Sequence, residues 1–418
     1  MSHFWHPFSD LAATLGGDEL IIDRGEGYHV FDENGNRYVD ATASLWYCNV
    51  GHGREQIAEA ARRQMSKLEA YSTFGTLANR PVIELAERLS FIAPVSDSLV
   101  FLTSGGSDSI DTSIKLARRY FHLIDQPDRR FIISRLGSYH GMHLAGTSIG
   151  GIAANADGYG ELFGETRRVQ WDSVEAFESL VTELGPEHVA AFVCEPIIGA
   201  GGVFPPPVGY LEKAREICRQ TGILFIADEV ISGFGRVGAW FASERFGLDP
   251  DVVVCAKGVT SGYLPMGAVL VAPWIAEAWV RRAPEIWRHG YTYSGHATVA
   301  AAALANLDII EEDRLLDRAK ELEGELATAL ARLSDHQLVS QVRAGTGAMA
   351  AVQLDPDIVG QDPMLPGRVI AACREAGVMT RLLAGNGVHI SPPLTLDEPG
   401  LAEMSDGILV ALDRALEN

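Results

Sequence analysis

A chain of 418 residues with 47% apolar content has material for one large or two moderate hydrophobic cores. Its 34 basic and 55 acidic residues give a formal charge of −21, which repels phosphate backbones and anionic membranes, so neither nucleic acid nor a membrane is an expected partner. Five scattered cysteines (Cys48, Cys194, Cys218, Cys255, Cys373), never spaced CxxC, argue against a disulfide framework or a zinc site. No apolar run reaches the roughly 20 residues of a bilayer crossing. The opening "MSHFWHPFSDLAATLGG" lacks the basic-then-apolar pattern of a secretory signal, so a cytoplasmic location with reduced thiols is expected.

In chain order, "ELIIDRGEGYHVFDENGNRYVD" alternates apolar and polar residues around Gly27 and the turn "DENGN", which predicts a small antiparallel meander. From about residue 55 helices and strands alternate. "EQIAEAARRQMSKLEA" and "RPVIELAERLSFIA" have helical spacing, and strand "SLVFLT" (98–103) follows. A helix then starts near Ser107, with Ile110, Ile114, Ala117 and Phe121 on one face. Further strands are predicted at 130–134, 190–195, 223–228, 252–256 and 267–272, mostly continuous apolar runs with helices between several of them. That texture predicts an α/β fold with a largely parallel sheet covered on both faces. After "SGHATVAAAALANLDIIEE" a smaller α+β unit is expected, with "ELEGELATALARLSD", a strand at 348–354, helix "GRVIAACREAG" and the closing "EMSDGILVALDRALEN". The expected division is an N-terminal segment belonging to the small domain (1–54), a large domain (55–305) and a small C-terminal domain (306–418).

Ligands of such sheets bind beyond the carboxyl ends of the strands, and the polar residues collect there. "TSGGSDSIDT" follows 98–103, "RLGSYHG" follows 130–134, "EPIIGAGG" follows 190–195, Asp228 and Glu229 end 223–228, and Lys257 follows 252–256. Singly, each has a plainer explanation: a turn with a helix cap, a packed aromatic, a solvated rim, a surface lysine. Together they supply an anion cradle at a helix start, a flat ring to stack on, a carboxylate and an amine. Those are the needs of pyridoxal 5′-phosphate: phosphate, aromatic ring, protonated pyridine nitrogen and aldehyde. Burial would lower the pKa of the lysine and make it nucleophilic. Asp228 would stay ionised against a pyridinium, and Val230, two residues on, would press an apolar face on the ring.

Over essentially its whole length the sequence resembles the class III (subgroup II) aminotransferases of the fold-type I pyridoxal-phosphate enzymes. The resemblance is carried by "LWYCNVGHG" (45–53), "TSGGSDSIDTSIKLARRY" (103–120), "SYHG" (138–141), "CEPIIGAGGVFPPPVGYL" (194–211), "FIADEVISGFGRVG" (225–238), "CAKGVTSGYLPMGAV" (255–269) and "YTYSGHATVAAAA" (291–303). It implies that Lys257 bonds the cofactor and shuttles the proton, Asp228 pairs with the ring nitrogen, and Tyr139 and Val230 pack on opposite ring faces. It further implies phosphate contacts from Gly106 and Ser107, and from Thr292 across a homodimer interface. Glu195 matches a glutamate near the cofactor, and His140 is left without a role.

Ala200 and Ile231 stand where the γ-aminobutyrate and ornithine branch has glutamate and glutamine, and resemble the ω-amine and β-alanine:pyruvate branch. By the same resemblance Trp46 and Phe74 wall the substrate pocket beside Tyr139, and Arg381 is a mobile arginine that reads a carboxylate. "TSGGSDS" departs from the commoner "NSGSEA", and one extra loop residue separates Arg381 from the prolines. "FWHPF" is similar to 8-amino-7-oxononanoate aminotransferase, which has two adjacent tryptophans where this chain has Trp46-Tyr47. The expected activity is transfer of an amino group from an ω-amine or ω-amino acid to an α-keto acid such as pyruvate, by a ping-pong cycle through pyridoxamine phosphate. The alternatives are the diaminopelargonate-forming reaction, or a mutase or decarboxylase on the same cofactor. A scaffold without activity is disfavoured because Lys257 and Asp228 are both present.

Overall fold

The structure, a computed structural model, describes residues 3–17 and 19–417. Strands β1 (Ile22–Glu26), β2 (His29–Asp32) and β3 (Arg37–Asp40) form the antiparallel meander expected from the alternating pattern. The central sheet follows, built from β4 (Leu99–Thr103), β5 (Phe131–Arg135), β6 (Thr166–Val169), β7 (Val189–Cys194), β8 (Leu224–Asp228), β9 (Val252–Cys255) and β10 (Gly267–Val271). Its order is β4-β10-β9-β8-β7-β5-β6, and β10 alone runs against its neighbours. Strands β7 to β10 are buried throughout, which is why they read as unbroken apolar runs. β6 escaped the sequence reading because its segment, "TRRV", carries two exposed arginines suited to the sheet edge it occupies.

The helix Gly106–Leu123 lies against this sheet with Ile110, Ile114, Ala117 and Phe121 buried, the face its spacing predicts. Past residue 338 come β11 (Val339–Arg343), β12 (Ala350–Leu354), β13 (Val378–Met379) and β14 (Gly387–Ile390). β11, β12 and β14 form a separate antiparallel sheet. The two-residue β13 pairs in parallel with β3, so the N-terminal meander and the C-terminal region share one sheet. No helix among the described residues is long and apolar enough to cross a membrane, and all five cysteines are buried free thiols.

One buried guanidinium ties these parts together. Arg236 Nη1 donates to the carbonyls of Ala348 (2.9 Å) and Pro392 (2.6 Å), and Nη2 donates to Asn49 Oδ1 (2.6 Å). The loop after β8 is thereby fastened to the chain after the meander and to both flanks of the C-terminal sheet. Arg236→Met keeps bulk but strips three buried acceptors of their donor, at about 1–3 kcal/mol each. The thermal unfolding midpoint should fall by several degrees; an unchanged midpoint in a thermal melt would contradict this role.

Candidate active site

Asp228 ends β8, and Lys257 stands two residues beyond the end of the adjacent parallel strand β9. Lys257 opens a short 3-10 turn with its backbone in the left-handed region (φ 47°), a conformation that costs a non-glycine residue on the order of 1 kcal/mol or more. Asn306 offsets that strain, its Nδ2 donating to the carbonyls of Gly258 (2.9 Å) and Val259 (3.0 Å). Asn306 was missed in the sequence, although a lone asparagine in the apolar run "AAAALANLDII" is a signal of buried polar work.

Asp228 is 4% exposed and accepts from two sides. His140 Nδ1 lies 2.7 Å from Oδ2, and the Val230 N–H donates to Oδ1 at 3.1 Å. A carboxylate offers only acceptors, so the imidazole nitrogen is the donor and holds the carboxyl plane in place. His140, to which the sequence assigns no role, is thus the side chain that braces Asp228. Glu229, next to Asp228, turns the other way: it accepts from Ser232 Oγ and from the N–H groups of Ala242 and Ser243. Glu195 Oε1 accepts from Tyr139 N (2.9 Å) and Oε2 from Gly199 N (3.0 Å), and burial pushes its carboxyl pKa up.

A cavity of about 990 Å³ joins these groups. Gly106, Ser107, Tyr139, Glu195, Asp228, Val230 and Lys257 all border it, as do Trp46 and Arg381. At one end the helix Gly106–Leu123 begins without a side-chain cap, so its first N–H groups and the positive end of its dipole are offered to an anion. The approach there is tight: a Cβ at residue 106 would come within 3.0 Å of Val230 Cγ1, and one at residue 141 within 2.5 Å of Ser107 Oγ. Ala200 and Ile231 add apolar wall, together with Tyr47 and Leu45. Trp46 is 2% exposed and held on a left-handed backbone (φ 70°). Asp40 braces that segment by accepting from the N–H groups of Thr42 (3.1 Å) and Ser44 (2.6 Å). Phe74 and Thr292 do not border this cavity; both are exposed, Phe74 by 57%.

This donor set fits pyridoxal 5′-phosphate: an uncapped helix start for the phosphate, Tyr139 and Val230 for the ring, Asp228 for the ring nitrogen and Lys257 for the aldehyde. The chain has five lysines, and Lys67, Lys115, Lys213 and Lys320 are all exposed on the surface. Protein packed around Lys257 lowers its ammonium pKa to about 8, mainly through loss of water, with nearby Asp228 and Glu195 opposing and Arg381 assisting. Below that pH the amine is protonated and inert; above it the neutral nucleophile prevails. Cofactor-free protein should therefore take up added cofactor at a rate that rises with pH and levels off above about 8. Borohydride reduction followed by peptide mapping should find the label on Lys257. A plateau deferred to the pH of a free lysine, or a label on any of the four surface lysines, would refute the assignment.

Comparison with known proteins agrees with this geometry. The aminotransferase class-III family model matches residues 13–412. Putrescine–pyruvate aminotransferase of Pseudomonas aeruginosa is 39% identical over 425 residues, covering 96% of this chain and 92% of that protein. An (S)-enantioselective ω-transaminase from Thermomicrobium roseum superposes with a TM-score of 0.95 at 37% identity, covering 99% of this chain and 97% of that one. A PLP-bound amine transaminase from an uncultivated Pseudomonas species superposes with a TM-score of 0.93 at 35% identity, covering 99% of each chain. The chain belongs to the class III aminotransferases, transaminases of fold type I that work with pyridoxal 5′-phosphate.

Proposed function

We propose that this enzyme moves an amino group from an ω-amine or ω-amino acid to a keto acid with a single carboxylate, pyruvate being the simplest. When bound, the cofactor supplies an aldehyde that takes up the amino group and stores it until the keto acid collects it, and a ring that withdraws electrons from the reacting carbon. Lys257 would anchor the cofactor through its amine and, when free, would serve as the base and acid that moves a proton at the substrate carbon. Asp228, oriented by His140, would keep a proton on the ring nitrogen. Tyr139 and Val230 would pack against the ring, and the N–H groups at Gly106 and Ser107 would hold the phosphate. Donor and acceptor use the same cavity in turn, which makes the cycle ping-pong.

The observation that carries the choice of substrate is the cation count. Among the described residues bordering the cavity, Arg381 is the one guanidinium, and its two Nη groups form no hydrogen bond or ion pair. Around it stand Trp46, Ala200 and Ile231, which offer nothing to a second carboxylate. A guanidinium binds a carboxylate by two parallel hydrogen bonds; with the arm swung aside, the same apolar walls accept an alkyl or aryl amine. Tyr47, bordering the cavity in place of a second tryptophan, favours this reading over 8-amino-7-oxononanoate.

Phe74 and Thr292 fit a homodimer in which each chain completes the other's site. Thr73 Oγ1 donates to Ser294 O (2.8 Å) and Asn79 Nδ2 to Gly295 O (2.9 Å), which gathers Tyr71, Phe74, Leu77, Thr292 and Tyr293 into one exposed patch. A partner chain covering that patch would bring Thr292 to the partner's phosphate and Phe74 to its substrate.

A donor panel assayed with pyruvate and with 2-oxoglutarate, read by alanine and glutamate formation, tests the reading. Pyruvate should be the better acceptor by about tenfold or more, the value of one lost hydrogen-bonded pair at its lowest. Arg381→Ala should weaken pyruvate and β-alanine by about 30-fold or more, the low end of the 2–5 kcal/mol for a buried charge pair, and depress a plain alkylamine far less. A preference for 2-oxoglutarate, or equal losses for carboxylated and plain donors, would overturn it.

A further inference from the structure

We propose that His389 is a positioning residue that holds Arg381 in readiness for a carboxylate and so sets the preference between carboxylated and plain substrates. The inference rests on the reading of Arg381 given above. His389 lies in β14 among Val388 and Ile390, with no exposed surface, an unexpected place for a polar ring. Both ring nitrogens and one face of that ring are engaged. The face packs on the Trp46 indole, with centroids 3.8 Å apart and planes 31° apart. Nε2 lies 2.7 Å from Ser391 Oγ, and Arg381 Nε approaches Nδ1 at 3.3 Å.

Hydrogen-bond chemistry fixes the direction of this chain. An arginine Nε–H can only donate, so Nδ1 is the acceptor and Nε2 carries the ring hydrogen. Nε2–H then donates to Ser391 Oγ, whose own hydrogen goes to the Thr42 carbonyl at 3.2 Å. Only a neutral imidazole in this one tautomer has a lone pair for Arg381. Burial, with Arg381, Arg236 and Lys257 nearby, pushes the His389 pKa well below its ordinary value, so the neutral ring is the form present.

The backbone restrains the root of the arginine as well. The His389 N–H donates to Arg381 O (2.9 Å), Thr380 Oγ1 donates to His389 O (2.6 Å), and Leu383 N donates to Gly387 O (2.7 Å), closing a short hairpin. With the backbone fixed, motion of the guanidinium is left to the side-chain torsions of Arg381. The contact at Nε is the hydrogen bond that must break when the arm swings out. At 3.3 Å it is longer than the usual N–H donor distance of about 2.9–3.0 Å, so it steers the arm without locking it. It also leaves both Nη groups free for a carboxylate, the bidentate mode an arginine uses best. The same ring supports Trp46, so the apolar wall and the carboxylate reader share one anchor.

The test uses the cofactor-loaded enzyme with propionate as an unreactive carboxylate, titrated by calorimetry, alongside half-reactions of β-alanine and butylamine. His389→Phe retains a ring against Trp46 but has no acceptor. It should weaken propionate about tenfold, raise KM for pyruvate and β-alanine more than it changes kcat, and lower the β-alanine to butylamine ratio of kcat/KM about tenfold. His389→Asn, whose Oδ1 can replace Nδ1, should recover most of each loss. In an Arg381→Ala background, His389→Phe should have no further effect on propionate. Parallel losses for β-alanine and butylamine, or full additivity with Arg381→Ala, would show a packing role only and overturn the proposal. Should the phenylalanine variant not fold, Ser391→Ala carries the test: it frees the ring to take the other tautomer and should weaken propionate several-fold, and undiminished binding overturns the proposal. If Arg381→Ala itself leaves propionate binding intact, the reading of Arg381 fails; if it weakens propionate and His389→Phe does not, only the inference about His389 fails.

Discussion

The register in which β8 lies beside β9 decides whether this chain has an active site. Parallel pairing sets Asp228 opposite Val254, and the chain then needs three more residues to bring Lys257 to the same mouth. A slip of one position would turn the Asp228 side chain to the other face of the sheet. The far end of the same strand pair is pinned by Asp251, which accepts from the Phe225 N–H (2.8 Å) and from both terminal nitrogens of Arg215 (2.8 and 3.0 Å). At the near end the Glu229 N–H donates to Val254 O at 2.8 Å. Carboxylate and amine are therefore delivered by backbone pairing held at two points, and His140 and Asn306 refine what the sheet has already placed.

Reaction and selection are divided between different parts of the chain. The groups that would handle the cofactor stand at ends of the central sheet, where Asn306 holds the carbonyls that follow the left-handed Lys257. Two of the groups that would choose a substrate come from segments outside that sheet: Trp46 after the meander and Arg381 in the hairpin before β14. These segments are laced to the large sheet's loops. Ala384 N donates to Ala200 O (3.2 Å), and Arg343 Nε donates to Gly202 O (2.7 Å) while its guanidinium covers the Phe204 ring at 4.5 Å. Specificity can thus change on the lacing while the sheet stays as it is.

Much of this is legible in the sequence. Unbroken apolar runs such as "VVVCA" declare buried strands, and a lysine directly after one demands a reason. Elements without such a pattern were not legible: β6 because of its arginines, β13 because two residues carry no period. Within the site, individual strand ends could be read but their contacts could not. His140 and Asp228 are 88 positions apart, and nothing local to either announces the pairing. His389 reads as one polar residue in a short apolar stretch until Trp46 is laid on it. Asp228 and Glu229 are neighbouring acids with opposite fates: Asp228 borders the cavity, and Glu229 accepts from the turn at Ala242 and Ser243. Phe74 and Thr292 are exposed and lie outside the cavity, and under the proposed homodimer their use would depend on a second chain.

Catalysis as proposed here depends on a buried, histidine-braced Asp228 that would keep a proton on the ring nitrogen of bound pyridoxal phosphate. Nitrogen-15 NMR of enzyme loaded with ring-labelled pyridoxal phosphate reads that proton directly through the chemical shift. The account predicts a protonated ring nitrogen in the unmodified enzyme across neutral pH and an unprotonated one in Asp228→Asn. An unprotonated nitrogen in both, or a protonated one in both, would contradict it.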